Sequence, residues 1–341
     1  MTGVPRPSAT EAPAITVLLA VRDGEAWLAE AIASVLAQTL TDFEFLVVDD
    51  DSRDASAAIA ARFAAADPRL QVLRKPGSGL TASLNHGLAR ARGGWIARLD
   101  ADDLCEPSRL ERQWQLARSD PRLVFVGCGA TLIDAEGRPG RRLRYPRGHR
   151  RLLADLRALR AFCPHSSALI RRDALQAVGG YRRRFRRAQD LDLWLRLSER
   201  GRFGCVPEPL VRLRQHGGQL TRADDPQGQP FDARLALFSH QLRRRGRPDP
   251  LVAPEEAWQT CRGWAFRQLQ HQGFEDFLGF MAQLQRTAAL RPRRRGLIGL
   301  LGLLLARPGC TGLLLRSRLL GDPFAARLTR LCCRGEGPCA V

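Results

Sequence analysis

The stretch Trp95-Ile96-Ala97-Arg98-Leu99-Asp100-Ala101-Asp102-Asp103 constrains this chain more than any other. An apolar run enters from Gly93-Gly94 and ends in three carboxylates within four residues. Such a run reads as a buried strand whose carboxyl tip opens into a polar crevice. Open α/β sheets bind ligands outside the carboxyl ends of their strands, so the acid cluster stands where a site belongs. Asp100, Asp102 and Asp103 repel one another at this spacing, and a divalent cation relieves that repulsion. Hard oxygen ligands select Mg²⁺ or Mn²⁺, which keep several waters and share their sphere with a substrate phosphate. A polar loop capping the helix near Glu106-Pro107 is the competing reading of the same residues.

The chain before this stretch repeats one pattern. Ala14 to Ala20 is strand-like, and from Trp27 the residues Leu28, Ala31, Ile32, Val35 and Leu36 recur at helical spacing. Phe43 to Val48 is a second strand ending in Asp49-Asp50-Asp51-Ser52, with Ser52 as N-cap of a helix running to Ala65 and Asp54 in its first turn. Leu70 to Leu73 is a third strand, and Gly77-Ser78-Gly79 turns into a helix from Leu80 to Ala91. Strands alternating with helices imply a mostly parallel sheet with right-handed crossovers. Parallel topology carries Asp49-Asp50 and Asp100 to Asp103 to one edge, one cluster for a base and ribose and the other for a metal-bound diphosphate. No G-x-G-x-x-G or Walker lysine follows any strand, so metal manages the phosphates rather than a glycine loop.

Beyond the acid cluster, Pro107 opens a helix through Leu110, Trp114 and Leu116, and Leu123 to Leu132 is a strand. Arg141 to Arg151 is a basic, loop-like stretch. Cys163 to Ile170 is a polar turn feeding a strand, and a short helix ends at Val178-Gly179-Gly180. After the basic loop Tyr181 to Arg187, the residues Leu191, Trp194 and Leu195 share a helical face, which puts Asp190 at a helix N-terminus. Dipole complementation and catalysis are both open readings for a carboxylate there. Pro209 to Arg214 is a last strand, followed by Gln215-His216-Gly217-Gly218.

A net charge of +19 over 341 residues normally points to nucleic acid or an anionic membrane. Lys75 is the single lysine, so the basicity is arginine, as a GC-rich genome produces. No zinc-finger spacing or RNA-recognition signature is present, and no specific nucleic-acid partner is expected. The nine cysteines are scattered, odd in number and without a C-x-x-C pair, which predicts no zinc site, no disulfide framework and a reducing cytoplasm. Residues 1–13 read as a flexible leader without the apolar core of a signal peptide. From Pro226 the pattern becomes helical, over Phe231 to Leu242, Ala257 to Leu269 and Phe274 to Leu290. Arg291 to Arg295 then precedes an apolar run, Gly296 to Ala306, that is shorter than the ~20 residues a bilayer requires. It reads either as a peripheral anchor on the inner face of the membrane or as a helix packed on protein.

In order and spacing, Ile15 to Ala20, Val47 to Asp54, Gly79 to Leu88 and Leu99 to Asp103 resemble the nucleotide-binding half of family 2 glycosyltransferases with the GT-A fold. His165-Ser166-Ser167, Gly179-Gly180-Tyr181, Gln189-Asp190 through Arg196, and Arg214-Gln215-His216 resemble the acceptor half. The resemblance implies a Rossmann-like α/β sheet flanked by helices, with residues 14–104 binding the nucleotide sugar, 105–222 the acceptor, and 223–341 a basic helical appendage. It implies that Asp50 receives the nucleotide base, with Asp49 and Ala20 beside it. Asp100 faces ribose or metal waters, Asp102 ligates Mn²⁺ or Mg²⁺, and Arg214 and His216 close over the diphosphate. Asp190 is the base of an inverting transfer, with Gln189 and His165 on the acceptor side.

The implied donor is a nucleoside-diphosphate sugar, a UDP-sugar first, and the acceptor a saccharide or lipid-linked saccharide of cell-envelope or exopolysaccharide assembly. Gln189 stands where the family often has Glu, so like-charge repulsion from that position is absent. Asp51 stands where it usually has Gly, and the Q-x-x-R-W element of processive synthases is missing, which favours transfer of one sugar. A nucleotidyltransferase and a non-catalytic nucleotide-sugar binder are the alternatives.

Overall fold

The computed structural model describes residues 12–185, 187–218, 228–272, 274, 309–310 and 322–337. They form two units, one holding the chain to Leu153 together with Ala161–Leu220, the other Ala154–Arg160 and the chain from Thr221.

The first unit is built on one nine-stranded sheet. Its strands are β1 (Ile15–Val21), β2 (Phe43–Asp49), β3 (Leu70–Arg74), β4 (Trp95–Asp100), β5 (Leu104–Cys105), β6 (Leu123–Ile133), β7 (Pro139–Leu143), β8 (Leu169–Arg171) and β9 (Arg202–Arg214). Their order is β3-β2-β1-β4-β8-β6-β9-β5, with β7 on the flank of β6. The helices are α1 (Leu28–Leu36), α2 (Ser56–Ala66), α3 (Leu80–Leu88), α4 (Arg109–Ser119), α5 (His149–Arg157), α6 (Arg172–Ala177) and α7 (Gln189–Leu197). The four leading strands run parallel, as does the β6–β9 pair, and this is the mostly parallel α/β sheet the sequence predicts.

Every residue of β1 and β2 is buried, because helices cover both faces of a parallel sheet. Register then aligns the acid tips: Ala20 lies opposite Asp100 on one side and Val21 opposite Asp49 on the other. The lower end of the sheet is pinned by Thr16, whose hydroxyl donates to Glu44 at 2.6 Å and accepts from the Gly93 N–H at 2.9 Å. A Cβ on Gly93 would lie 2.3 Å from the Thr16 nitrogen, so only glycine admits the chain to β4.

Several local expectations are corrected. α2 starts at Ser56, not near Ser52, because Asp51 is left-handed (φ 63°) and lengthens the turn. Ser52 accepts from the Asp23 N–H instead, and Asp54 receives the Ser56 N–H from outside the helix. α3 stops at Leu88, three residues early, since the Arg92 N–H turns to Glu44 rather than to a helix carbonyl. The basic stretch Arg141 to Arg151 is a loop only over residues 144–148; it begins as the end of edge strand β7 and finishes as the start of α5. β9 begins at Arg202, ahead of Pro209, and register shifts on β6 absorb its prolines. α7 is buried from Asp192 through Leu197 rather than on one face, which is possible because Asp192 pairs with Arg196 at 2.7 Å.

In the second unit α8 (Gly228–Arg243), α9 (Glu255–His271) and α10 (Pro323–Cys333) form the expected helical appendage. Phe231, Leu235, Phe238, Trp258, Leu269, Phe324 and Leu328 are buried in it. Arg234 and Asp322 pair at 2.9 Å, and Asp322 caps α10 by accepting the Ala325 N–H. Cys261 is disulfide-bonded, against expectation, while Cys105, Cys128, Cys163 and Cys205 are buried free thiols. Residues 1–11 of the predicted leader, most of the third predicted helix, the Arg291–Arg295 cluster and the apolar run to Ala306 lie outside the described residues. Among the described residues no helix is long and apolar enough to cross a membrane.

Candidate active site

The tips of β1, β2, β4 and β9 converge on the acid clusters. Asp50 closes the loop ahead of α3: Oδ1 accepts from Lys75 and from the Ser78 N–H at 2.9 Å, and Oδ2 from the Gly79 N–H at 2.8 Å. Burial pushes this carboxyl up, but Lys75, the two N–H groups and the Ser83 hydroxyl outweigh it and hold it below the usual range. Asp49 is fully buried, accepts from Ser52 at 3.1 Å and lies 3.3 Å from Arg74 Nε. Ala20 is walled in between β2 and β4.

On β4, side chains two apart share a face, so Arg98 and Asp100 meet. Arg98 is buried under the cleft floor; Nη2 donates to Asp100, and Nε and Nη1 meet no acceptor among the described residues. Asp100 keeps 36% of its side chain exposed at the floor of the cleft. Burial pushes it up, and the charge and hydrogen bond of Arg98, with the hydroxyl of Ser166, bring it below its ordinary value. Ser166 Oγ lies 2.8 Å from Asp100 Oδ2 and 2.5 Å from Asp103 Oδ2, and it also accepts the Asp100 N–H. One hydroxyl has one proton to give, so the second carboxyl has to bring its own. Asp103 is that group: burial and the charges of Asp100 and Asp102 push it well above a normal carboxylate.

Asp102 is also raised, by burial and by Asp100, while His216 opposes the shift with Nε2 at 2.9 Å from Oδ2. Only this oxygen of Asp102 meets a side chain among the described residues. The imidazole of His216 packs on Trp27, ring centres 4.1 Å apart. Arg214 is buried and committed to the chain. Nε donates to the Asp102 carbonyl at 3.0 Å, Nη1 to that of Ala135 at 2.8 Å, Nη2 to Glu30 at 2.8 Å, and its N–H to Asp103 at 2.9 Å. The structure therefore places Arg214 as a clamp on the Asp102-Asp103 turn, not as a free hand over a diphosphate.

The opposite wall comes from α3 and α7. Asn85 on α3 grips the backbone of Tyr181 twice, at 2.7 and 2.9 Å, and a Cβ on left-handed Gly180 would strike its amide oxygen. That grip presents the Tyr181 hydroxyl to His165 Nε2 at 2.6 Å. Burial and Arg98 lower His165 to about 3, so its ring is neutral at physiological pH. Asp190, second residue of α7, is raised: burial dominates, the Leu191 N–H at 2.8 Å opposes it, and the charge of Asp100 adds to the rise. His165, next to the Ser166 that bonds Asp100, packs on Trp194 of α7 with ring centres 5.8 Å apart, so α7 and the β4 acid tip share one segment. Gln189 Oε1 is buried and meets no donor among the described residues.

Among the described residues no three His, Cys, Asp or Glu side chains form a ready metal cage. Mg²⁺ and Mn²⁺ bind through one or two carboxylates plus waters and substrate phosphates, and Asp102 with its less engaged oxygen fits that share. Asp100, with both oxygens taken, fits hydrogen bonding to ribose or metal water better than direct ligation.

The family model described as Glycosyl transferase family 2 matches residues 16–179. Putative glycosyltransferase EpsE of Bacillus subtilis (strain 168) is 35% identical over 215 residues, covering 62% of this chain and 76% of that protein. The chain belongs to the family 2 glycosyltransferases. Succinoglycan biosynthesis protein ExoO of Rhizobium meliloti (strain 1021) is 30% identical over 97% of this chain and 91% of its own length. The crystal structure of residues 1–349 of TarS from S. aureus in complex with UDP-GlcNAc superimposes with a TM-score of 0.56 over 94% of this chain and 92% of that one, at 16% identity. The fold is GT-A.

Within this glycosyltransferase site, sequence reasoning missed Trp27, Arg98, Ser166 as a bridge, and Tyr181. The signal for Arg98 was present, since an arginine two residues before Asp100 in a buried strand has to share its face.

Proposed function

We propose that this glycosyltransferase moves one sugar from a nucleoside-diphosphate sugar, a UDP-sugar first, to a hydroxyl of a saccharide or lipid-linked saccharide, with inversion and with Mg²⁺ or Mn²⁺. The observation that carries it is the meeting of the β4 acid tip and α7 on one segment: Ser166 bonds Asp100 at 2.8 Å while the neighbouring His165 packs on Trp194 of α7, ring centres 5.8 Å apart. In this reading a donor diphosphate at the Asp100–Asp102 rim would present its anomeric carbon to the side of the site where Asp190 stands. The complex of TarS with UDP-GlcNAc supports the donor class, and the name of ExoO supports polysaccharide assembly.

Asp50 and Asp49 form the base end of the cleft and Asp100 the ribose end. Asp102 would hold the metal, which when bound would supply Lewis-acid neutralisation of the leaving diphosphate. His216 sits beside Asp102, where it reaches the same oxygens as a hydrogen-bond partner. Asp190 takes the acceptor proton as the hydroxyl attacks, and its raised affinity for protons brings it closer to the operating pH. Neutral His165 and Tyr181 line the acceptor side and orient without exchanging charge. One base on the far face gives inversion with no covalent carboxylate intermediate.

Calorimetry with UDP-, GDP- and dTDP-sugars, each with Mn²⁺ and with EDTA, tests this. The reading predicts metal-dependent binding of one nucleotide class; metal-independent binding removes the role of Asp102, and no binding of any class removes the donor assignment.

A further inference from the structure

Several arginines on this protein have carboxylate partners. Arg69 pairs with Asp67, Arg92 with Glu44, Arg112 with Glu208, Arg122 with Asp120, Arg171 with Asp173 and Arg212 with Glu106, all within 3.0 Å. The segment from β7 into α5 gathers exposed arginines with no acid between them. Arg141, Arg142, Arg144, Arg147 and Arg150 are all exposed. None forms an ion pair among the described residues, and the sequence has no Asp or Glu between Glu136 and Asp155. Glu208, which feels the charge of Arg147, is itself held by Arg112. Charged side chains guard an edge strand against pairing with another, but β7 ends at Leu143 while the arginines continue past it.

We propose that this arginine row is an electrostatic docking surface for an anionic lipid bilayer. A protein partner would call for an apolar centre, and the one large hydrophobic exposed among the described residues, Val252, lies in the other unit. Single-stranded nucleic acid is held by stacking on aromatic rings, and the segment's one aromatic, Tyr145, is buried. What remains is a dense set of guanidinium groups that suits a diffuse sheet of phosphates. Its location fits the reaction proposed above, on which this inference rests for its purpose. The turn that leads into β7 carries the Ala135 carbonyl, which receives both Arg214 and the Trp27 indole N–H at the cleft. β7 runs antiparallel to β6, so the start of the row, Arg141 and Arg142, lies at the acid-rim end of the sheet, and a bilayer met there would bring a lipid-linked acceptor towards the cleft.

The experiment is sedimentation of the full chain with vesicles of pure phosphatidylcholine and with vesicles containing phosphatidylglycerol, at low and high salt. A variant with Arg141, Arg142, Arg144, Arg147 and Arg150 all changed to Gln is run beside it. The proposal predicts binding to the anionic vesicles alone, weakened by salt, and at least about tenfold weaker in the variant. Melting temperature and nucleotide-sugar affinity should be unchanged in the variant. Binding to neutral vesicles as well, or a loss of less than about threefold in the variant, overturns it. So does a variant that loses affinity for a single-stranded oligonucleotide while keeping that for vesicles. Vesicle binding needs no donor, so its failure is distinct from failure of nucleotide-sugar binding, which is measured separately.

Discussion

Arg214 separates two roles that the sequence alone runs together. If it is a clamp, its removal destabilises the donor-free protein; if it is a hand for the diphosphate, the donor-free protein is indifferent. Replacement by Met removes the bonds to the Asp102 and Ala135 carbonyls and to Glu30. Glu30 is 60% exposed, so that ion pair is screened and adds little. Each of the two carbonyl bonds from a buried guanidinium contributes about 1.5–3 kcal/mol, which puts Arg214→Met at about 3–6 kcal/mol. Arg214→Lys keeps one donor near one carbonyl and should cost about 2 kcal/mol. For a unit of this size a kilocalorie moves the melting temperature by about 2–4 °C, so Met should melt at least about 6 °C low. Scanning calorimetry without donor reads this directly. Wild-type melting of both variants, with donor affinity lost, would refute the clamp.

Two further outcomes follow from buried charge. Asp192→Asn leaves Arg196 buried without its carboxylate and should cost about 3–5 kcal/mol by urea unfolding, and a loss under about 1 kcal/mol would contradict the buried pair. Asp103 holds a proton in the folded chain that the unfolded chain has released, so it makes stability fall as pH rises from the ordinary carboxylate value through its raised one. Asp103→Asn in EDTA mimics the protonated side chain and should flatten that fall, leaving the variant the more stable above it; parallel pH curves would overturn the assignment.

The sheet was legible because continuous apolar runs and acid tips are properties of single strands, and parallel register does the rest: Ala20, Asp49 and Asp100 could be placed at one edge from sequence. Asp190 at a helix N-terminus was legible for the same local reason. Contacts between distant segments were not. Ser166 bridges carboxylates more than sixty residues away, and nothing in His165-Ser166-Ser167 announces which partners it meets. Arg214 looked like a mobile cation because sequence carries charge but not burial, and β7 looked like a loop because an edge strand of arginines has no apolar period. α7 escaped the amphipathic rule because Asp192 and Arg196 neutralise each other inside the core.

The measurement that bears most directly on the cleft as an inverting catalytic site is Asp190→Asn, assayed for sugar transfer and, on the same sample, for donor affinity. The account predicts transfer reduced by about 10²–10⁴-fold, with nucleotide-sugar affinity and melting temperature retained. Transfer at the wild-type rate would contradict it, because the cleft would then hold no base at α7.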